Sequence, residues 1–185
     1  MPRAPEKKLL VEGKYDKYVI PRLIEANGIK WGERQEERTV EISDKGGYQE
    51  LLKSGVLETE LKASGLRTLG ILIDADDSVI SRWTAIRHRC QHIISGIPEQ
   101  LPSNGLIATT NEGIRFGIWI LPNNRDAGMM ETFLKYLVPL QYDALWQFAQ
   151  DSATEAKTRG APYRIAHRDK AEIHTMLAWS DPPGR

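Results

Sequence analysis

Apolar residues along the chain follow two rhythms. Short unbroken runs bounded by charge or glycine suit buried strands, and apolar residues recurring every three or four positions suit helices. Lys8 to Val11 reads as a short buried strand interrupted at Gly13. Asp16 to Ala26 reads as a helix, because Tyr15, Val19, Leu23 and Ala26 recur at helical spacing and Asn27-Gly28 supplies a stop. Pro21 is awkward there, but it lies near enough to the first turn to be tolerated, with room for a bend. Thr39 to Ile42 is a candidate second strand, and Gly46 to Ala63 is one helix or two short helical pieces. Thr68 to Ile73 is the clearest strand. It is apolar on both faces, as a central parallel strand covered by helices should be. A helix over Val79 to Ile94 follows, with Asp77 or Ser78 as its N-cap. Leu106 to Ala108 and Arg115 to Leu121 read as two more strands. Met129 to Leu137, Asp143 to Lys157 and Asp169 to Trp179 read as helices. Gly32 to Arg38 is a charged, solvated loop, and the closing Asp-Pro-Pro-Gly-Arg is expected not to pack.

The resulting order, βαβαβα followed by two strands and then helices, predicts an α/β fold with a mostly parallel sheet covered on both faces. A chain of 185 residues suits one domain. Its core is expected over about residues 6–125, with a helical C-terminal extension over about 126–180.

Lysine plus arginine equals aspartate plus glutamate, 25 each, so no global field attracts nucleic acid or an anionic membrane. Any nucleic-acid contact must come from a local basic surface. Cys90 is the single cysteine, which excludes an intrachain disulfide and a cysteine-rich zinc site. It falls in a helical pattern and is expected to be a packed thiol. The polar start leads into only a short apolar run, unlike a signal peptide or a membrane span, so a cytoplasmic location without a membrane partner is expected.

Two strand ends carry the chemistry. One gives Val11-Glu12-Gly13-Lys14-Tyr15-Asp16 and the other Ile73-Asp74-Ala75-Asp76-Asp77. Ligands of open parallel sheets bind beyond the carboxyl ends of the strands, near a switch in strand order. If the two strands are neighbours, Glu12, Asp74 and Asp76 converge, and Asp16 faces the same space one helical turn after Glu12. Carboxylates so close raise one another's pKa values, and a bound divalent cation resolves the conflict. Oxygen-only donors favour a hard ion, Mg2+ or Mn2+.

The motif VEGKYD after a strand, with DAD after a later strand, resembles the Toprim domain of topoisomerases, bacterial primases, recombination-repair proteins and OLD-family nucleases. Within that superfamily the chain looks like a small stand-alone protein similar to the OLD-family nucleases. The second acid, Asp16, points that way, although no Ser-x-Glu motif and no Walker A loop is present. The resemblance implies Glu12 as a metal ligand or general acid/base. It implies Asp74 and Asp76 as metal ligands, Asp16 as an assisting acid, Glu131 as a later acid and Lys170 as a catalytic lysine.

Each residue also has a plain structural role to weigh. Asp74 and Asp76 could cap the following helix, Asp16 and Glu131 could be first-turn acids favoured by the helix dipole, and Lys170 could lie on a solvated face. Asp77 reads as a cap rather than a ligand. His88 and His92, and also Lys170 and His174, are four residues apart; the histidines are expected to be solvated or partly buried rather than zinc ligands. Arg82, Arg87 and Arg89 read as a solvent face. Arg164, Arg168 and Lys170 concentrate positive charge late in the chain, where they could contact phosphates. Trp83, Trp119, Trp146 and Trp179 read as core or interface.

These expectations converge on magnesium-dependent phosphodiester chemistry on DNA or RNA, most simply hydrolysis by an OLD-like nuclease. The alternative is a non-catalytic Toprim module that grips nucleic acid or a partner protein in a metal-dependent way, with a homo-oligomer also open. A phospho-receiver fits less well, because its acid pair normally follows the first strand.

Overall fold

Five strands form one sheet in the order β2-β1-β3-β5-β4. The computed structural model describes residues 5–32, 34 and 37–184. Residues 1–4 of the polar lead, 33, 35 and 36 of the charged loop, and 185 of the tail lie outside that description. The elements are β1 (Lys7–Val11), α1 (Asp16–Ala26), β2 (Glu41–Asp44), α2 (Tyr48–Leu51), α3 (Val56–Leu61), β3 (Thr68–Asp74) and α4 (Val79–Cys90). They continue with β4 (Leu106–Thr109), β5 (Arg115–Leu121), α5 (Met130–Lys135), α6 (Asp143–Thr158) and α7 (Arg168–Leu177). Strands β1, β2, β3 and β5 are parallel, and β4 adds an antiparallel edge. The expected α/β fold is therefore present, with a mostly parallel sheet flanked by helices.

Alternation along the strands divides the core in two. Leu10, Leu69, Ile71, Ile73, Phe116, Ile118 and Ile120 belong to one buried cluster with Leu51, Leu57, Val79, Trp83 and Ile86 of α2, α3 and α4. Leu9, Val11, Leu72, Trp119 and Leu121 turn to the other face, against Ile20 of α1 and Met130 of α5. A strand apolar at every position is what two covered faces require.

Several boundaries moved for identifiable reasons. The second strand lies two residues later than Thr39 to Ile42, because parallel pairing with β1 sets Glu41 opposite Lys8 and Asp44 opposite Val11. The segment 46–63 is two helices, split where Gly55 takes a left-handed conformation at φ 85°. Helix α4 stops at Cys90, whose carbonyl accepts from both Ile93 and Ile94 N–H in the turn that follows. That turn buries both isoleucines. Helix α1 runs unbroken through Pro21. The tail does pack in part, since Gly184 N–H donates to Leu177 O at 2.6 Å. Trp83 is buried and donates to Glu99 O at 2.8 Å, whereas Trp179 is half-exposed and stacks on Phe148 at 5.2 Å. Cys90 is buried, and burial pushes its thiol up to about 12, so it stays protonated. Among the described residues no helix is long and apolar enough to cross a membrane.

The helical extension returns to the sheet through charge. Thr132 Oγ1 and Lys135 Nζ of α5 donate to Asp169 at 2.6 and 2.8 Å. Lys135 also lies 3.3 Å from Glu172, and Arg168 Nε donates to Glu172 at 2.6 Å. Glu172 is 1% exposed, so these two cations are what allow a carboxylate there. Replacing Glu172 by alanine removes the acid that Lys135 and Arg168 share, leaves Lys135 to Asp169 alone and opens a cavity under α7, and should cost about 2–4 kcal/mol. His88→Ala, on the exposed face of α4, should stay within about 0.5 kcal/mol. Urea denaturation of the two variants checks the contrast.

Candidate functional site

Strands β1 and β3 are direct neighbours, with Val11 opposite Leu72, so the two acidic strand ends meet. The sheet order also places this meeting at a switch point: β1 leads outward to β2, and the chain then returns to β3 on the other side of β1. Glu12 Oε1 accepts the N–H of Asp74 at 3.1 Å, and Asp74 Oδ1 accepts the N–H of Met130 at 2.9 Å, at the start of α5. Asp16 opens α1 and accepts the Gly13 N–H at 3.0 Å. Gly47 N–H donates to Glu12 O at 2.8 Å, which ties the loop before α2 to the same strand end.

Helix α7 completes the arrangement. Glu131, in the first turn of α5, is buried, and its Oε1 lies 3.3 Å from Lys170 Nζ and 3.8 Å from His174 Nε2. Lys170 also lies 5.8 Å from the ring centroid of Tyr15, and His174 meets the same ring edge-on at 6.4 Å. A cavity of about 1080 Å³ opens between α1, α5 and α7, with Glu12, Asp16, Asp74, Glu131, Lys170 and His174 in its lining. Tyr15, Trp31, Leu134 and Ile173 contribute apolar wall.

Asp76 sits apart from that lining. Its backbone N–H and C=O both pair with Gly128, at 2.9 and 2.8 Å, while its side chain forms an ion pair with Arg82. The residue adopts φ 48°, and Gly128 is required opposite it, because a Cβ there would meet Thr132 Oγ1 at 2.6 Å. Arg82 thus belongs to the site's surroundings and not to the solvent face expected for it. It is half-buried at the edge of the stripe that Val79, Trp83 and Ile86 form on α4, three residues after Val79 and four before Ile86, and that spacing was the available signal. Asp77 is not the cap of α4; Ser78 Oγ accepts the Ser81 N–H at 3.2 Å. His174 was legible as a partner of Lys170 from its four-residue spacing. Of the three basic residues proposed for phosphate contact, only Lys170 reaches the cavity. Arg168 is committed to Glu172, and exposed Arg164 lies 2.7 Å from His167. His88 and His92 are both exposed.

Burial is the main force on the site's acids. It pushes Glu12 up to about 7, against the Asp74 N–H and the Arg82 charge, with Asp76 and Asp16 adding to the rise. It pushes Asp74 up to about 8, reinforced by Glu12, Asp16, Glu131 and Asp76. Asp16 is raised as well, by burial ahead of its neighbours. Glu12, Asp16 and Asp74 are therefore neighbouring oxygen donors whose charge Arg82 and Lys170 offset only in part. Glu131 and Asp76 are further donors at the edges. Among the described residues no three acid, imidazole or thiolate groups are gathered into a ready ion cage, and Asp76 is instead turned to Arg82.

Residues 6–185 match the family described as a protein of unknown function (DUF3226), and the chain belongs to that family. No curated protein and no solved structure matches it.

The raised acids give a signed pH dependence. Glu12 and Asp74 bind protons more tightly folded than unfolded, so their stabilising contribution is full below about pH 4 and is lost as pH climbs through about 7 and 8. The melting temperature without divalent cations should therefore fall between pH 5 and pH 9. Asp74→Asn should flatten that fall, as differential scanning fluorimetry across buffers would reveal. An unchanged slope would contradict the unmatched charge at this position.

Proposed function

We propose that the cavity is the active site of a Mg2+- or Mn2+-dependent phosphodiester hydrolase acting on nucleic acid, a Toprim-like enzyme of the OLD-nuclease kind. The observation that carries this reading is the convergence of Glu12, Asp16, Asp74, Glu131 and Lys170 from four distant stretches of chain on one cavity. Burial there raises two of the acids to about 7 and about 8. Carboxylates with that much proton affinity are the ones a cation can relieve, and their all-oxygen chemistry fits a hard ion. In this reading Asp74 and Asp76 hold the ion, Glu12 is either a further ligand or the general acid/base, and Asp16 and Glu131 are flanking acids.

When bound, such an ion polarises a phosphoryl oxygen and lowers the pKa of a bound water. The chain's own residues do the rest. Glu12, at about 7, exchanges a proton readily at neutral pH and suits a general acid/base. Lys170 brings its ammonium to the cavity from α7 and stabilises negative charge developing on the phosphate. The hydrogen bond from the Met130 N–H fixes one Asp74 oxygen, so that the carboxylate is oriented before any ligand arrives. The apolar wall of Tyr15, Trp31, Leu134 and Ile173 thins out water around the acids and gives a base or sugar a surface to rest on.

A non-catalytic phosphate grip would use the same residues, and the test separates the two. Purified protein is incubated with plasmid, single-stranded DNA and RNA in Mg2+ or Mn2+. Cleavage is expected, with Glu12→Gln and Asp74→Asn each reducing it at least about 100-fold and Lys170→Ala about 10- to 100-fold. The asparagine variant can still accept the Met130 N–H, so lost activity with a retained fold assigns the role to charge. Metal-dependent retention of DNA without cleavage by the wild-type protein would replace the hydrolase with a binding module.

A further inference from the structure

We infer that Arg82 is a positioning residue of this site, an internal cation that holds Asp76 away from the cavity until a divalent cation claims that carboxylate, and that then offers its guanidinium to the phosphate. The inference rests on the cation-dependent reading of the cavity given above.

Three observations point to it. First, the Arg82 side chain is 19% exposed and borders the buried stripe of α4, whereas the Asp76 side chain is 48% exposed. The better-buried partner is the cation, so the acid is the member with freedom to turn. Second, the Arg82 guanidinium carbon sits 3.7 Å above the Tyr48 ring centroid. Tyr48 opens α2 directly after Gly47, whose N–H is bonded to Glu12 O, so the platform under Arg82 is fixed to the same strand end as the Glu12 carboxylate. A guanidinium stacked on an aromatic face keeps its in-plane donors available for carboxylate or phosphate oxygens. Third, the Asp76 backbone is pinned on both sides by Gly128, so a change of partner needs only side-chain rotation and no movement of the loop.

Arg82 supplies what the cavity acids lack. Its charge already acts on both Asp76 and Glu12. Once Asp76 turns toward a cation, the planar fork of donors is released beside a site where a phosphate would lie. A lysine would keep the charge but lose the bidentate geometry.

The test uses the full chain and two readouts other than turnover. Mn2+ affinity is measured without nucleic acid, from the electron paramagnetic resonance of free Mn2+. Retention of a labelled single-stranded oligonucleotide is measured in Ca2+ by fluorescence anisotropy. Arg82→Gln removes the competing charge and should bind Mn2+ about fivefold more tightly, while retaining the oligonucleotide about tenfold less well. Arg82→Lys should keep Mn2+ affinity within about twofold, yet share the loss of retention. Tyr48→Leu removes the platform without touching the charge. It should leave Mn2+ affinity unchanged and weaken retention, which keeps the idea testable if Arg82→Gln folds poorly. Unchanged or weaker Mn2+ binding by a folded Arg82→Gln protein would overturn the inference for Arg82 alone. Absence of Mn2+ binding by the wild-type chain would overturn the cation-dependent reading and the inference with it.

Discussion

Two hydrogen bonds in series hold the centre of this molecule: the Asp74 N–H donates to Glu12, and the Met130 N–H donates to Asp74. They tie the ends of β1 and β3, already paired in the sheet, to each other and to the start of α5. Each bond fixes a carboxylate in place and satisfies one backbone donor that would be costly to bury alone. Neither bond supplies a full positive charge. Burial therefore still dominates, and both acids end with proton affinities far above those of ordinary carboxylates. The site is geometrically settled and electrostatically unsettled.

That combination separates the acids here from the structural acids elsewhere. Glu60 receives Lys45 and Lys8, Asp169 receives Lys135 and Thr132, and Asp44 receives Lys17, and all three carboxyls are pulled below their usual range. Their partners outweigh whatever burial they suffer, so each behaves as a finished ion pair. Glu12, Asp16 and Asp74 shift the opposite way. A protein that neutralises its partly buried acids in three places and leaves three together only partly offset has placed an outside cation or proton in demand at that point.

Much of this was legible in the chain. The strand Thr68 to Ile73 carried its identity in apolar character on both faces, and the acids at its end and after Val11 marked the carboxyl edge of a parallel sheet. Glu131 and Lys170 were harder, because each looks like an ordinary helix residue. Their role depends on α7 folding back against α5, and that return is set by the buried charge of Glu172, which no periodicity advertises. Arg82 was misread for a related reason. An arginine is usually solvated, and its half-buried position becomes meaningful only when Val79, Trp83 and Ile86 are seen to lie beside it. The break at Gly55 and the short α4 came from backbone conformation and local turns, which hydrophobic spacing does not encode.

The helical extension belongs to the site rather than beside it. Without α7, Glu131 would lose Lys170 and His174 and would face Asp74 and Asp16 without the one ammonium paired to it. Lys170 in turn gains its direction from Asp169 and Glu172 on the same helix, since these are the residues that dock α7 onto α5. The match to a single family over residues 6–185 takes in both the sheet and this helix. A truncation at the end of β5 would thus remove a wall of the cavity and Lys170 together. The strand ends supply Glu12 and Asp74, and the extension adds Glu131 and the ammonium of Lys170 that faces it.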